Sequence, residues 1–160
     1  MIVFSLRALE RLGKAFEAKK SYESAAVMTT DYCFPNRLEE EETLTMAAKA
    51  MPNLANTWYY LGCDEWNHDR KDAALADWRK TVELNPTHAL ALRCIGFGLS
   101  HSGTYFTNTG VPSGIANREA YDYYLKSLEA EPHFRTLDEA GKLAEKLNIP
   151  AAERLALMEK

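Results

Sequence analysis

Three prolines close three segments of the same spacing, and this constrains the fold more than any other feature of the chain. Ala74, Trp78 and Thr81 precede Pro86 at intervals of four, three and five residues. Ala120, Tyr124 and Ser127 precede Pro132 at the same intervals, and Glu40, Leu44 and Ala47 precede Pro52 likewise. Residues three and four apart share a helix face, and proline disfavours helical backbone in the residue before it. Each set therefore reads as one face of a proline-closed helix, repeated along the chain. The helix before it recurs as well, with Trp58, Leu61 and Gly62 in one unit and Leu92, Ile95 and Gly96 in the next. A glycine on that stripe, opposite Ala74 or Ala120, lets two helices approach closely. Trp58 and Trp78 are expected to fill the remaining gap.

Trp58-x-x-Leu61-Gly62 followed by Ala74, Trp78 and Pro86 resembles the tetratricopeptide repeat, a helix–turn–helix unit of about 34 residues. The pattern departs at Glu65, where an aromatic is usual and where the adjacent Trp66 is expected to take that part. In the unit at 89–132, Gly96 stands 24 residues before Ala120, against 12 from Gly62 to Ala74, so an insertion is placed at 100–117. For the first repeat two phases stay open: 21–52, set by Leu44, Ala47 and Pro52, or 3–34, set by Leu12-Gly13, Phe16 and Ala25. The resemblance implies an all-α fold, a tetratricopeptide-like right-handed stack of antiparallel helix pairs (an α-solenoid). It is expected as one domain over 1–160, with C-terminal helices in 136–159. Helices are expected near 3–17, 20–32, 36–50, 54–67, 70–84, 87–100, 117–130, 136–147 and 150–159. The Gly-, Ser-, Thr- and Asn-rich stretch 102–115 is expected as a loop, either mobile or a lid.

A narrower resemblance rests on Cys33-Phe34-Pro35-Asn36-Arg37-Leu38-Glu39-Glu40, Trp58-Tyr59-Tyr60-Leu61-Gly62, Ala74-x-x-x-Trp78 and Glu153-Arg154-Leu155-Ala156-Leu157. These runs are similar to a family of large bacterial proteins of unknown function. In that family a β-rich domain, similar to sugar mutarotases, precedes tetratricopeptide-like helices. The resemblance implies that this chain is the helical, accessory part of a carbohydrate-active protein.

Composition supports helices: Ala and Leu total 41 residues, Val and Ile only 8, and β-branched side chains favour strands. With 19 Lys and Arg against 23 Asp and Glu, the net charge of −4 disfavours nucleic acid and anionic membranes, which are held by basic charge. No apolar run has the roughly 18 residues of a membrane helix, and Met1-Ile2-Val3-Phe4 lacks the basic leader of a signal peptide. Cys33, Cys63 and Cys94 are odd in number and widely spaced, which fits free thiols in the cytoplasm.

Motifs for catalysis are not legible. His68, His88, His101 and His133 contain no i, i+4 pair of the helical zinc type; no phosphate loop or nucleophile elbow is present. No cofactor, no metal and no enzymatic activity are expected. Glu39–Glu42 reads as a solvated helix start favoured by the helix dipole, with a calcium site or a basic partner as the alternative. The expected function is protein or peptide binding. At 100° per residue, Tyr59, Cys63, Trp66 and Asn67 fall on a different face from Trp58, Leu61 and Gly62. The same rotation selects Arg93, Phe97, Ser100 and His101 in the next repeat, and in stacked repeats this face lines the concave groove. Aromatics and arginine suit a binding surface. A peptide-carboxylate clamp is not expected, because the groove position of repeat 55–86 carries Cys63 rather than asparagine. Uncovered end helices leave room for a homo-oligomer.

Overall fold

The structure, a computed structural model, describes Glu17, Lys20 and residues 38–105 and 113–150. Apart from Glu17 and Lys20, both helical, and Pro150, the helices expected at 3–17, 20–32 and 150–159 lie outside the described residues. The described residues are all-helical, with no strand among them. They fall into two compact units, Met1–Leu84 and Asn85–Lys160.

In the first unit, α1 spans Leu38–Ala50, α2 Ala55–Asn67 and α3 Lys71–Leu84. The stop between α2 and α3 comes from the backbone. Asp69 adopts φ 63°, its N–H donates to the Trp66 carbonyl at 3.2 Å, and the Arg70 N–H reaches the Glu65 carbonyl at 2.9 Å. This left-handed cap satisfies the carbonyls that a helix end leaves open. The chain then turns back, and α3 packs on α2. At their crossing a Cβ on Gly62 would lie 2.7 Å from two indole atoms of Trp78 and 3.0 Å from the Ala74 carbonyl oxygen, so glycine is required there. Ala74, Leu75, Trp78 and Thr81 are the buried face of α3.

The second unit repeats this design with α4 (Ala89–Tyr105), α5 (Ser113–Ala130) and α6 (Phe134–Lys146). A Cβ on Gly96 would lie 3.0 Å from the Ala120 carbonyl oxygen and 3.0 Å from the Tyr124 ring. Ala120, Tyr124 and Ser127 are buried as Ala74, Trp78 and Thr81 are. Ser127 donates its hydroxyl across the hairpin to the Ala89 carbonyl at 2.9 Å. Two histidines cap helix starts: the Ala91 N–H donates to His88 Nδ1, and the Arg135 N–H donates to His133 Nδ1, both at 3.2 Å.

Two sequence expectations are corrected. Helix α4 does not stop at Ser100 but runs through Tyr105, and α5 starts at Ser113 rather than at 117. Of the twelve extra residues in this repeat, four extend α4, four extend α5 and four lengthen the connection. Four residues are close to one helical turn, so both arms grow in step, through residues of weak helix propensity such as Gly, Ser and Thr. The part of the expected 102–115 loop at 106–112 lies outside the described residues. The second correction concerns Trp58. It is half-buried rather than core, and its indole N–H donates to the Pro52 carbonyl at 2.9 Å.

A second left-handed cap closes α6, where Asn148 has φ 55° and the Ile149 N–H bonds the Ala144 carbonyl at 2.9 Å. A side chain is strained at this φ, whereas glycine is not. Asn148→Gly is therefore expected to raise stability by up to about 1 kcal/mol, read as a higher urea midpoint with unchanged slope.

Candidate functional site

The residues assigned to a groove divide by environment. On α2, Tyr59 is buried, Cys63 and Trp66 are half-buried and Asn67 is exposed. Tyr59 is buried because α2 is covered by α1 as well as by α3, so more than one stripe of it faces protein. Trp66 sits 5.4 Å from Trp78 between ring centroids. Lys71 lies 4.1 Å over the Trp66 ring and donates to the Trp66 carbonyl at 2.6 Å.

On α4, Arg93 and Phe97 are half-buried and His101 is exposed. Arg93 is engaged by Glu139 of α6: its Nε donates to Oε2 at 3.0 Å and its Nη2 to Oε1 at 2.5 Å. The side chains keep only 20% and 19% exposure, and such bidentate pairs are among the stronger ones. Phe97 packs on His101 with centroids 4.1 Å apart, and His101 Nδ1 lies 2.8 Å from the Phe97 carbonyl oxygen. Ser100 donates its hydroxyl to the same carbonyl at 3.0 Å. A ligand carboxylate reaching Arg93 would have to displace Glu139. Cys63 and Cys94 are thiols, not joined in a disulfide.

A second constellation lies inside the first unit and was not read from the sequence. Asp64 of α2 is fully buried, with its Oδ2 3.3 Å from His68 Nδ1 and 3.9 Å from Arg70 Nη2. Arg70 Nη2 in turn sits 2.9 Å from Glu41 Oε1 of α1. Neither Asp64 carboxylate oxygen accepts a hydrogen bond. Burial pushes the Asp64 carboxyl above the usual range, against the pull of His68.

One residue on, Glu65 faces Asp77 of α3. Burial and the Asp77 charge push Glu65 up to about 7, while burial pushes Asp77 up to about 6. Both carboxyls therefore titrate above the usual carboxylate range, because burial disfavours their charged forms and, for Glu65, the Asp77 charge adds to it. The sequence signal for this region was the i, i+4 pair Asp64 and His68 on one helix. The acidic run 39–42 delivers Glu41 to the same place, so that residue is not merely part of a solvated helix start.

Comparison with protein-family models and with curated proteins returned no match for this chain. None of the described helices is long and apolar enough to cross a membrane.

Proposed function

We propose that the chain is a tetratricopeptide-like helical-repeat module that binds a peptide or protein segment. One observation carries the reading. Two helical hairpins share the same inner packing: a glycine on the first helix against the backbone of an alanine and the ring of an aromatic four residues on, with a small hydroxyl residue three further. Gly62, Ala74, Trp78 and Thr81 make this set in α2–α3, and Gly96, Ala120, Tyr124 and Ser127 make it in α4–α5. Recurrence of a whole contact set, at different loop lengths, supports repeats of one supersecondary unit. In stacked arrays the first helices of such hairpins line a groove. The relation to helical regions of large bacterial proteins belongs to the same proposal.

Within that reading the candidate contacts are Cys63, Trp66 and Asn67 on the first unit and, separately, Phe97 and His101 on the second, since Tyr59 is buried and Arg93 is held by Glu139. The test is selection of binders from a random peptide library on the full chain, followed by affinity measurement with variants. Asn67→Ala, Phe97→Ala and His101→Ala are expected to weaken the selected peptide while the melting temperature stays nearly unchanged. Unaltered affinity in all three would place binding elsewhere and end the groove reading.

A further inference from the structure

We infer that Glu41, Asp64 and His68 form a site for one divalent transition-metal cation of the zinc type. Each offers one ligand atom, and these atoms lie within 4.8 Å of one another. The donor set, two carboxylates and one imidazole, suits zinc, cobalt or manganese rather than calcium, which takes oxygen alone.

Asp64 points to a ligand independently of the cluster. Its carboxylate is wholly buried, and neither oxygen receives a hydrogen bond, which leaves only the longer ionic contacts to His68 and Arg70, a weak compensation for a buried charge. Arg70 does not meet the need: it bonds Glu41 at 2.9 Å but stays 3.9 Å from Asp64, beyond hydrogen-bond reach. His68 Nδ1 is 2.9 Å from the Asp64 carbonyl oxygen and 3.3 Å from its carboxylate. Bonds of about 2.0–2.1 Å in a tetrahedron put ligand atoms about 3.3–3.4 Å apart, so the Asp64–His68 edge is already at ligating distance. Glu41 has to close by at most about 1.5 Å to complete that geometry. It has the freedom, being partly exposed and held only by Arg70, which is itself the more exposed of the two.

The entry path runs on the solvent side, past the His68 and Glu41 side chains, which keep 26% and 29% exposure over the buried Asp64. Three protein ligands leave a fourth position for water, the arrangement of an open rather than a closed zinc site. On binding, the cation takes the place now shared by the His68 Nδ1 proton and the Arg70 guanidinium, and Arg70 swings into solvent.

The test is titration of the chelator-treated full chain with Co²⁺, read by visible absorption, and with Zn²⁺, read by calorimetry. The expected result is one cation per chain with a cobalt spectrum of nitrogen and oxygen donors and no thiolate charge-transfer band. His68→Gln and Glu41→Gln, both at the exposed edge and both checked for folding by circular dichroism, should each weaken binding by about tenfold or more. Arg70→Ala, which removes the competing cation, should tighten it. Absence of saturable binding, a thiolate band, unchanged affinity in His68→Gln and Glu41→Gln, or equal or weaker binding in Arg70→Ala would overturn the assignment.

Discussion

Replacing Trp78 by alanine is expected to cost the protein about 3–5 kcal/mol of stability, the usual range for deleting a buried aromatic side chain. Trp78 is 2% exposed. It fills the notch left by Gly62, touches the Trp66 ring from the other side, and belongs to the buried face of α3. Its removal therefore opens a cavity between two helices that cannot close, because their approach is already set by Gly62 and the Ala74 backbone. Trp78→Phe is expected to cost much less. It retains most of the ring, and the indole N–H it removes has no hydrogen-bond acceptor, so no partner is orphaned. Urea unfolding of the three chains measures this; a loss below about 1 kcal/mol for the alanine variant would show that the indole is not core.

The second large effect is a pH dependence centred on Glu65 and Asp77. A carboxyl whose pKa is higher in the folded state holds its proton more tightly there. Its stabilising contribution is complete below the unfolded value, near 4, and disappears as pH rises through the folded values of about 6 and about 7. Between pH 5 and pH 8 the pair is expected to lower stability by on the order of 2 kcal/mol, since one pKa unit corresponds to about 1.4 kcal/mol and both groups are partly solvated. Glu65→Gln removes the like-charge partner and should flatten the profile, leaving the variant more stable than the parent at pH 8. His88 works in the opposite direction: burial holds its imidazole neutral, so acid weakens its cap on α4. Comparing the parent and Glu65→Gln at each pH in chelator cancels that trend. Parallel profiles for the two chains would mean that the Glu65–Asp77 pair does not govern the dependence.

Helix positions were legible because apolar spacing and proline punctuation report backbone directly. The glycine–alanine–aromatic contact was legible for the same reason, since a missing side chain at a fixed interval has one steric meaning. Polar pairing was not legible. Arg93 meets a glutamate 46 residues away, and nothing in local spacing singles out Glu139 among the 23 acidic residues. Periodicity also assumes that a helix has one buried stripe. For α2, packed on both α1 and α3, this turned Tyr59 outward and left Asp64 unnoticed, although both are buried. The end of α4 was missed because Ser102, Gly103 and Thr104 are weak helix formers, yet the helix continues through them to Tyr105.

The second hairpin shows how this architecture tolerates changes of length. Its arms exceed those of the first by four residues each, which rotates each tip by only about 40° beyond one full turn. The Leu92–Gly96 and Ala120–Tyr124 faces at the base keep their register while the far end is remodelled. Additions of two residues per arm would rotate the new tip by about 200° and present its polar side to the partner helix. Additions of seven would return it almost to phase. The distal end of α4–α5 is accordingly the place to graft a reporter or an epitope, in steps of whole turns, with the inner contact of Gly96 and Tyr124 left as a fixed hinge pin.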